Sequence, residues 1–447
     1  MTVSAARRPR AQRAVSAASG SRDNGAMHRT VSRAFDSLRV RNYRRFFGGQ
    51  VVSWTGTWIQ WVAQGWLVLQ LTDSALGLGL VTALQWLPIM VFGVWAGVLS
   101  DRFEKRRILL VTNVSAAGLS LVLGLLTVAG VVELWHVIAI ALLLGLVTAL
   151  DNPTRQTFTM EMVGRERLTN AVSLNTATFT IARVLGPAIA GLLISAVGIG
   201  QCFLINAVSF VPITIALLFM DKGALDTGEK AERAPGQVRE GLRYAASVPV
   251  LKALLIIIGV VGTLEYNFQV ILPVLAKDTF GGDARTFGLL GTVLGIGMLT
   301  GSLSNAAFGR PDRRILLGAC ATLGVCTILV AIAPSVWIAA LFLVPLGASS
   351  MAFLATMNSS LQLNTADHMR GRVMAIYFVL FLGSTPIGAP IVGWLSETFS
   401  PRVALGVGAA ATLGACLYGM MRLPHLESKT SKKDDDAIED PALKETG

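Results

Sequence analysis

Twelve apolar runs divide this chain of 447 residues, each near the length of about 20 residues that crosses a hydrocarbon core. They cover 45–71, 76–99, 108–131, 134–156, 168–197, 200–220, 252–276, 286–308, 314–333, 335–361, 370–396 and 402–421. A bilayer interior offers no water to backbone N–H and C=O groups, so runs of this length must close their hydrogen bonds internally, as helices. The expected fold class is an all-α membrane protein with twelve transmembrane helices. Composition agrees: 53% of residues are hydrophobic and 15% are charged, more apolar surface than a soluble core requires.

The pattern is written twice. GVLSDRFEKRRILL (Gly97 to Leu110) returns as GSLSNAAFGRPDRRILL (Gly301 to Leu317). NPTRQ (Asn152 to Gln156) returns as NSSLQ (Asn358 to Gln362), and GPAIAG (Gly186 to Gly191) as GAPIVG (Gly388 to Gly393). Three echoes in the same order argue for two pseudo-symmetric six-helix halves and a duplicated transporter fold. The domain reading is a basic tail over 1–42, a first half over 43–220, a linker over 221–250, a second half over 251–421 and a charged tail over 422–447.

Lys and Arg set the orientation. Met1 to Arg45 holds eleven Arg against Asp23 and Asp36. The loops after the even-numbered spans carry Arg102, Lys105, Arg106 and Arg107, then Arg165 and Arg167, Lys222 to Arg243, Arg310, Arg313 and Arg314, and Arg370 and Arg372, whereas the opposite loops hold Lys277, Arg285 and Arg402. Both termini are therefore expected in the cytoplasm of a bacterial-type plasma (inner) membrane. The formal net charge of +11 follows from this loop bias, and with no base-reading module beside it nucleic acid is not an expected partner. The start of the chain lacks the apolar core of a cleaved signal peptide.

Polar groups inside apolar spans are costly, so each is informative. Gln50, Ser53, Thr57, Gln60 and Gln64 recur at helical spacing in the first span and form one polar face, which should turn to a wet interior. Trp54, Trp58 and Trp61 form the adjoining stripe. Together they suit a large substrate that is partly apolar and partly hydrogen-bonding, although an aromatic stripe alone more often serves packing than ligand contact. Glu265 lies mid-span beside Tyr266, Asn267 and Gln269, where a carboxyl can bind and release a proton or contact substrate. Asn358 is a further cavity candidate. Asp151 and Arg155 stand i, i+4 and can form a structural salt bridge or a proton relay. Arg183 is a candidate counter-ion for Asp151 or Glu161.

Enzymatic chemistry has no visible centre. The four His are scattered in tails and loops, and neither a phosphate-cradling loop nor a zinc-protease motif occurs. Cys202, Cys320, Cys326 and Cys416 sit in apolar runs without metal-site spacing, so no metal and no cofactor is expected. An ion gradient, most simply of protons, remains as the energy source.

These motifs make the chain, over about 40–421, similar to the major facilitator superfamily and within it to a bacterial branch of siderophore exporters and drug:proton antiporters. Gly97, Leu99, Asp101, Arg102, Lys105 and Arg106 fit the superfamily's loop pattern G-x-L-a-D-r-x-G-r-k, with Glu104 where that pattern has Gly. LDNPTRQTFTMEMVGRERLTNA with RVLGPAIAG, and RGRVMAIY with PIGAPIVGWL, resemble the exporter branch. The resemblance implies a gating latch at Asp101 that joins the halves in one state. Asn305 and Ala306 replace its acidic and basic partners in the second half, so the latch should be one-sided. Gly186, Pro187 and Gly191 resemble a helix-bending antiporter motif, though Ala190 stands where that motif has Gly and Arg183 where it has a small residue. The implied function is proton-coupled export of a small amphipathic molecule by alternating access, with a monomer sufficient. A metabolite importer or uniporter, or a non-transporting sensor or scaffold, are the alternatives.

Overall fold

The computed structural model describes residues 35–225, 237–308 and 312–423. Of the expected tails only 35–42 and 422–423 fall within these residues. Regular structure among the described residues is entirely helical: α1 (Arg41–Thr72), α2 (Ala75–Arg102), α3 (Lys105–Val128), α4 (134–163), α5 (165–197), α6 (Ile199–Leu218), a short α7 (Gln237–Ser247), α8 (Pro249–Leu264), α9 (Phe268–Val274), α10 (Ala284–Phe308), α11 (Arg313–Ala331), α12 (Val336–Leu363), α13 (Arg370–Leu382), α14 (Thr385–Thr398) and α15 (Pro401–Arg422). Helix starts are fixed by side-chain caps where loops are shortest. Ser74 accepts from the Gly77 N–H at 2.9 Å, Asp312 from Arg314 and Ser400 from Val403, each satisfying an N–H that the helix itself leaves open.

Ten stretches are long and apolar enough to cross a membrane, with 134–197 counted once. The polar helix α1 is not among the ten, and with it and the division of 134–197 the number is compatible with twelve. Two expected helices are interrupted. The run 252–276 breaks into α8 and α9 at 265–267 and continues as a π-turn over Leu275–Thr279, while 370–396 breaks into α13 and α14 at 383–384.

The halves pack alike. Helix α1 lies against α6 as α8 lies against α15, and α3 against α6 as α11 against α15. Across the seam α2 meets α14 and α5 meets α10. The duplicated glycine motif builds both seams. A Cβ on Gly186 would stand 2.4 Å from the Trp58 Cβ, and one on Gly191 would stand 2.8 Å from the Ala284 carbonyl at the start of α10. In the second copy a Cβ on Gly388 would meet the Thr263 carbonyl and one on Gly393 the Ala75 carbonyl at the start of α2. Each motif thus lets its helix touch the first helix of its own half and the second helix of the other, which is the close backbone approach that small residues permit. At Gly186, Pro187 and Gly191 the backbone of α5 keeps helical φ/ψ, and the sole non-helical residue in 134–197 is Gly164.

Gly164 makes the sharpest turn. The loop expected over 157–167 reduces to this residue, at φ 71° and ψ 172°. Asn175 donates to Thr159 at 3.4 Å, although sixteen residues of straight helix would span about 24 Å, so α5 doubles back along α4. That φ/ψ region is open essentially to Gly alone and costs other residues about 1–3 kcal/mol. Gly164→Ala should therefore destabilise the protein by about this amount, read as an earlier thermal melt of the detergent-solubilised chain; an unchanged melt would remove Gly164 as the determinant of the turn.

Candidate functional site

The two halves are bonded to each other at the end remote from the chain termini. Lys277 donates to the Leu69 carbonyl at 3.1 Å and to the Asp73 carboxylate at 2.5 Å, and that hydrogen bond and charge hold the exposed Asp73 carboxyl below its usual range. Glu397 on α14 accepts from the Ser74 hydroxyl and from the Leu76 N–H at 2.9 Å, so an acidic side chain completes the positive start of α2 from across the seam. Beneath this layer Trp66 stacks on Phe287, with ring centroids 6.4 Å apart. Deeper still, Trp86 donates to Gln269 at 3.4 Å. Among the described residues, no hydrogen bond or ion pair joins the halves on the terminus side of that contact.

Just inside the seal is a cavity of about 80 Å³ on the seam, lined by Trp58, Trp61 and Val62 of α1, Arg183 and Pro187 of α5, Phe268, Gln269 and Leu272 of α9, and residues of α10. Gly288, Gly291 and Gly295, spaced i, i+3 and i+7, bring α10 onto α5: a Cβ on Gly295 would lie 3.0 Å from the Val184 Cα. That spacing was the available sequence signal for α10 as a cavity wall. An aromatic chain feeds the same place, with Phe179 edge-on to both Trp54 and Trp58, Trp58 against Trp61, and Trp61 against Trp86. Trp54 itself is not in the cavity lining.

The polar face of α1 does not turn to that cavity. Gln60, 2% exposed, accepts from Ser120 and from Asn206, both at 2.6 Å, inside the first half. Gly56 faces Ser209 and Asn206 of α6, Ser53 and Gln50 are buried, and the Thr57 hydroxyl bonds back to Ser53. Gln50, Thr57 and Gln60 are not in the lining of that cavity: Gln60 is bonded to α3 and α6 inside the first half, whereas the buried Gln50 amide has no hydrogen-bond partner among the described residues. Gln64 donates to Gln85 at 3.1 Å and lines, with Trp61 and Gln269, a second cavity of about 20 Å³, room for about one water.

The break after α8 sends neighbouring side chains to different places. Glu265, 5% exposed, points into the second half, where Thr327 of α11 and Thr412 of α15 reach its two carboxyl oxygens and Gly408 leaves it room. The Thr327 hydroxyl also faces the Leu323 carbonyl at 2.9 Å. One hydroxyl proton cannot serve both acceptors, so the site fits either protonation state: an ionised Glu265 takes the Thr327 proton, whereas a neutral one donates to Thr327 and frees that proton for Leu323. Tyr266 instead donates to the Ser350 carbonyl at 2.7 Å and sets its ring against Phe381. Asn267 bonds back to Thr263 against Gly388, and Asn358 bonds Gln362 and Tyr377. Tyr266, Asn267 and Asn358 thus lie outside the cavity lining.

The remaining charges divide likewise. Asp151 and Arg155 form a two-pronged pair at 2.8 and 3.0 Å, with Thr112 on the same carboxylate. Glu161 pairs with Lys105 at 2.5 Å. Both carboxylates are thereby taken, and Arg183 is counter-ion to neither. Arg106 donates to the Leu217 and Leu218 carbonyls, closing the end of α6, and Arg102 is exposed. Gly97 and Asp101 lie on α2, and the Asp101 side chain is outside the described residues. Among those residues no group of three or more His, Cys, Asp or Glu could hold a metal ion.

Residues 32–446 match the family described as transmembrane secretion effector. The chain is 25% identical to the staphyloferrin A transporter of Staphylococcus aureus, over 79% of this chain and 89% of that protein. It is 29% identical to the multidrug efflux pump Tap of Mycolicibacterium fortuitum, over 76% and 86%. In fold it is similar to the nucleoside transporter NupG, at a TM-score of 0.67 and 10% identity over 85% of this chain and 98% of that one, and to an inward-facing bacterial homologue of the iron transporter ferroportin, at 0.66 and 17% over 86% and 98%.

Removing the acidic half of the far-end seal should loosen it. With Cys202, Cys320, Cys326 and Cys416 replaced, a cysteine at position 287 is expected to react several-fold faster with a membrane-impermeant maleimide when Glu397→Ala is added, because the α2 N–H is left to water. Equal rates would show that Glu397 does not hold this end shut.

Proposed function

The chain belongs to the transmembrane secretion effector family of major facilitator transporters, and we propose that it is a proton-driven exporter of small amphipathic molecules from the cytoplasm of a bacterial cell. The observation that carries the reading is a seam cavity lined from both halves and sealed, among the described residues, by cross-half bonds at one end only. Such a site serves alternating access when the seal opens as the opposite end closes. The efflux proteins among its relatives support export as the direction.

In this reading the aromatic wall of Trp58, Trp61 and Phe268 takes the apolar body of the substrate and Gln269 hydrogen-bonds it. Asp101, with Arg102 and Lys105 beside it, latches the terminus-side end in the other state. The bias of Lys and Arg places both termini in the cytoplasm, so the sealed end faces outward. Cavity and seal are built within one chain, and a monomer suffices.

Glu265 is the proposed proton carrier, because its surroundings satisfy both protonation states and hold no cationic partner among the described residues. Asp151 is locked to Arg155 and Thr112 and is second choice. Moving one charge through 100 mV yields about 2.3 kcal/mol, enough for roughly a fiftyfold gradient per proton.

Cells carrying the gene should accumulate less of a toxic dye or siderophore than cells without it, and an uncoupler should erase the difference. In proteoliposomes Glu265→Gln should abolish pH-gradient-driven efflux while substrate still binds, since Gln keeps the shape of the neutral acid. Gradient-driven efflux at the wild-type rate would move the proton site away from Glu265. For topology, a cysteine at Lys222 should label with an impermeant reagent only after cells are opened and one at Asp283 in intact cells; the reverse pattern would invert the proposed orientation.

A further inference from the structure

Arg183 stands apart from every other charge that the fold carries inward. It sits mid-helix on α5, one turn before Pro187, and lines the seam cavity opposite Gln269 and Phe268. Its guanidinium lies over the face of Trp58, 5.5 Å from the ring centroid. Asp151 and Glu161 are occupied by Arg155 and Lys105, and Glu265 is turned to Thr327 and Thr412 on the far side of α8. Among the described residues, no ion pair or hydrogen bond ends on Arg183.

An unpaired guanidinium within an apolar span is expensive, and a fold tolerates it where a partner arrives from outside. The Trp58 ring offsets part of that cost through its electron-rich face, but a ring accepts none of the five N–H donors. Those donors form a planar fork that matches a carboxylate, phosphonate or sulfonate two bonds at a time. The same positive charge repels a cation at this distance.

We propose that Arg183 is the recognition point of an anion subsite, and that the exported molecules are amphipathic acids. This deepens the export reading and rests on it. The acid group bonds the Arg183 fork, the apolar body lies along Trp58, Trp61 and Phe268, and Gln269 takes a second polar group. A cavity of about 80 Å³ holds a head group and part of a ring, so the rest of the molecule extends toward the end left unsealed.

The test uses three fluorescent probes of one shape: pyrenebutyrate, its primary amide, and pyrenebutylamine. Binding to the full-length protein in nanodiscs near neutral pH is read by energy transfer from tryptophan. The carboxylate is expected to bind at least about tenfold tighter than the amide, the range of one charge-assisted pair, and the amine to bind weakest. Arg183→Gln should bring carboxylate and amide to equal affinity, and Arg183→Lys should keep part of the preference. An amide that binds as well as the acid, an amine that binds best, or a preference that survives Arg183→Gln would overturn the proposal. The wild-type ranking decides even if a variant fails to fold. Because it is an equilibrium ranking, a failure here leaves dye export and its uncoupler sensitivity untouched, whereas loss of export with the ranking intact would sink the transport reading alone.

Discussion

Backbone contact at two glycine seams is the interaction on which the rest of this fold depends. Between helices surrounded by lipid there is no hydrophobic driving force, and association rests on close van der Waals approach and hydrogen bonds. Gly191 against the start of α10 and Gly393 against the start of α2 supply that approach at two points related by the internal repeat. The Gly393 contact brings α14 near enough to α2 for Glu397 to reach the Leu76 N–H, and that seal gives the cavity a floor. Bulk at either glycine would part the halves before it touched the cavity.

Much of this was legible in the sequence, and the exceptions have identifiable causes. Long apolar runs and an ordered repeat announce a duplicated helical membrane protein, because both follow from what lipid permits. The polar face of α1 was visible too, but its destination was not. Periodicity says that Gln60 and Ser53 share a face and is silent on whether Ser120 and Asn206 wait opposite. The break at 265–267 carries no glycine or proline to signal it, and it decides that Glu265 and Tyr266, adjacent in sequence, serve different neighbourhoods. Arg183 was noticed as a charge, yet its isolation is a fact of three dimensions: pairing elsewhere removes each carboxylate that sequence proximity had offered it.

Three arrangements of inward polarity bear on the cavity among the described residues. Pairs such as Asp151 with Arg155 and Lys105 with Glu161 close within the first half and stiffen it. The Gln60, Ser120 and Asn206 cluster does the same without charge. Arg183 and Gln269, on the seam, are polar side chains in the cavity lining. A pocket whose apolar walls surround few polar groups is the common form of a small-molecule site.

The short helix α9 has a mechanical consequence. It runs without interruption into the turn that carries Lys277, so Phe268, Gln269 and Leu272 of the cavity wall and the lysine of the outer seal ride on one rigid lever about three turns long. Its fulcrum is the break at 265–267, where Glu265 is anchored in the second half. The pocket wall and the rim lysine thereby share one helical segment whose inner end is the break beside Glu265.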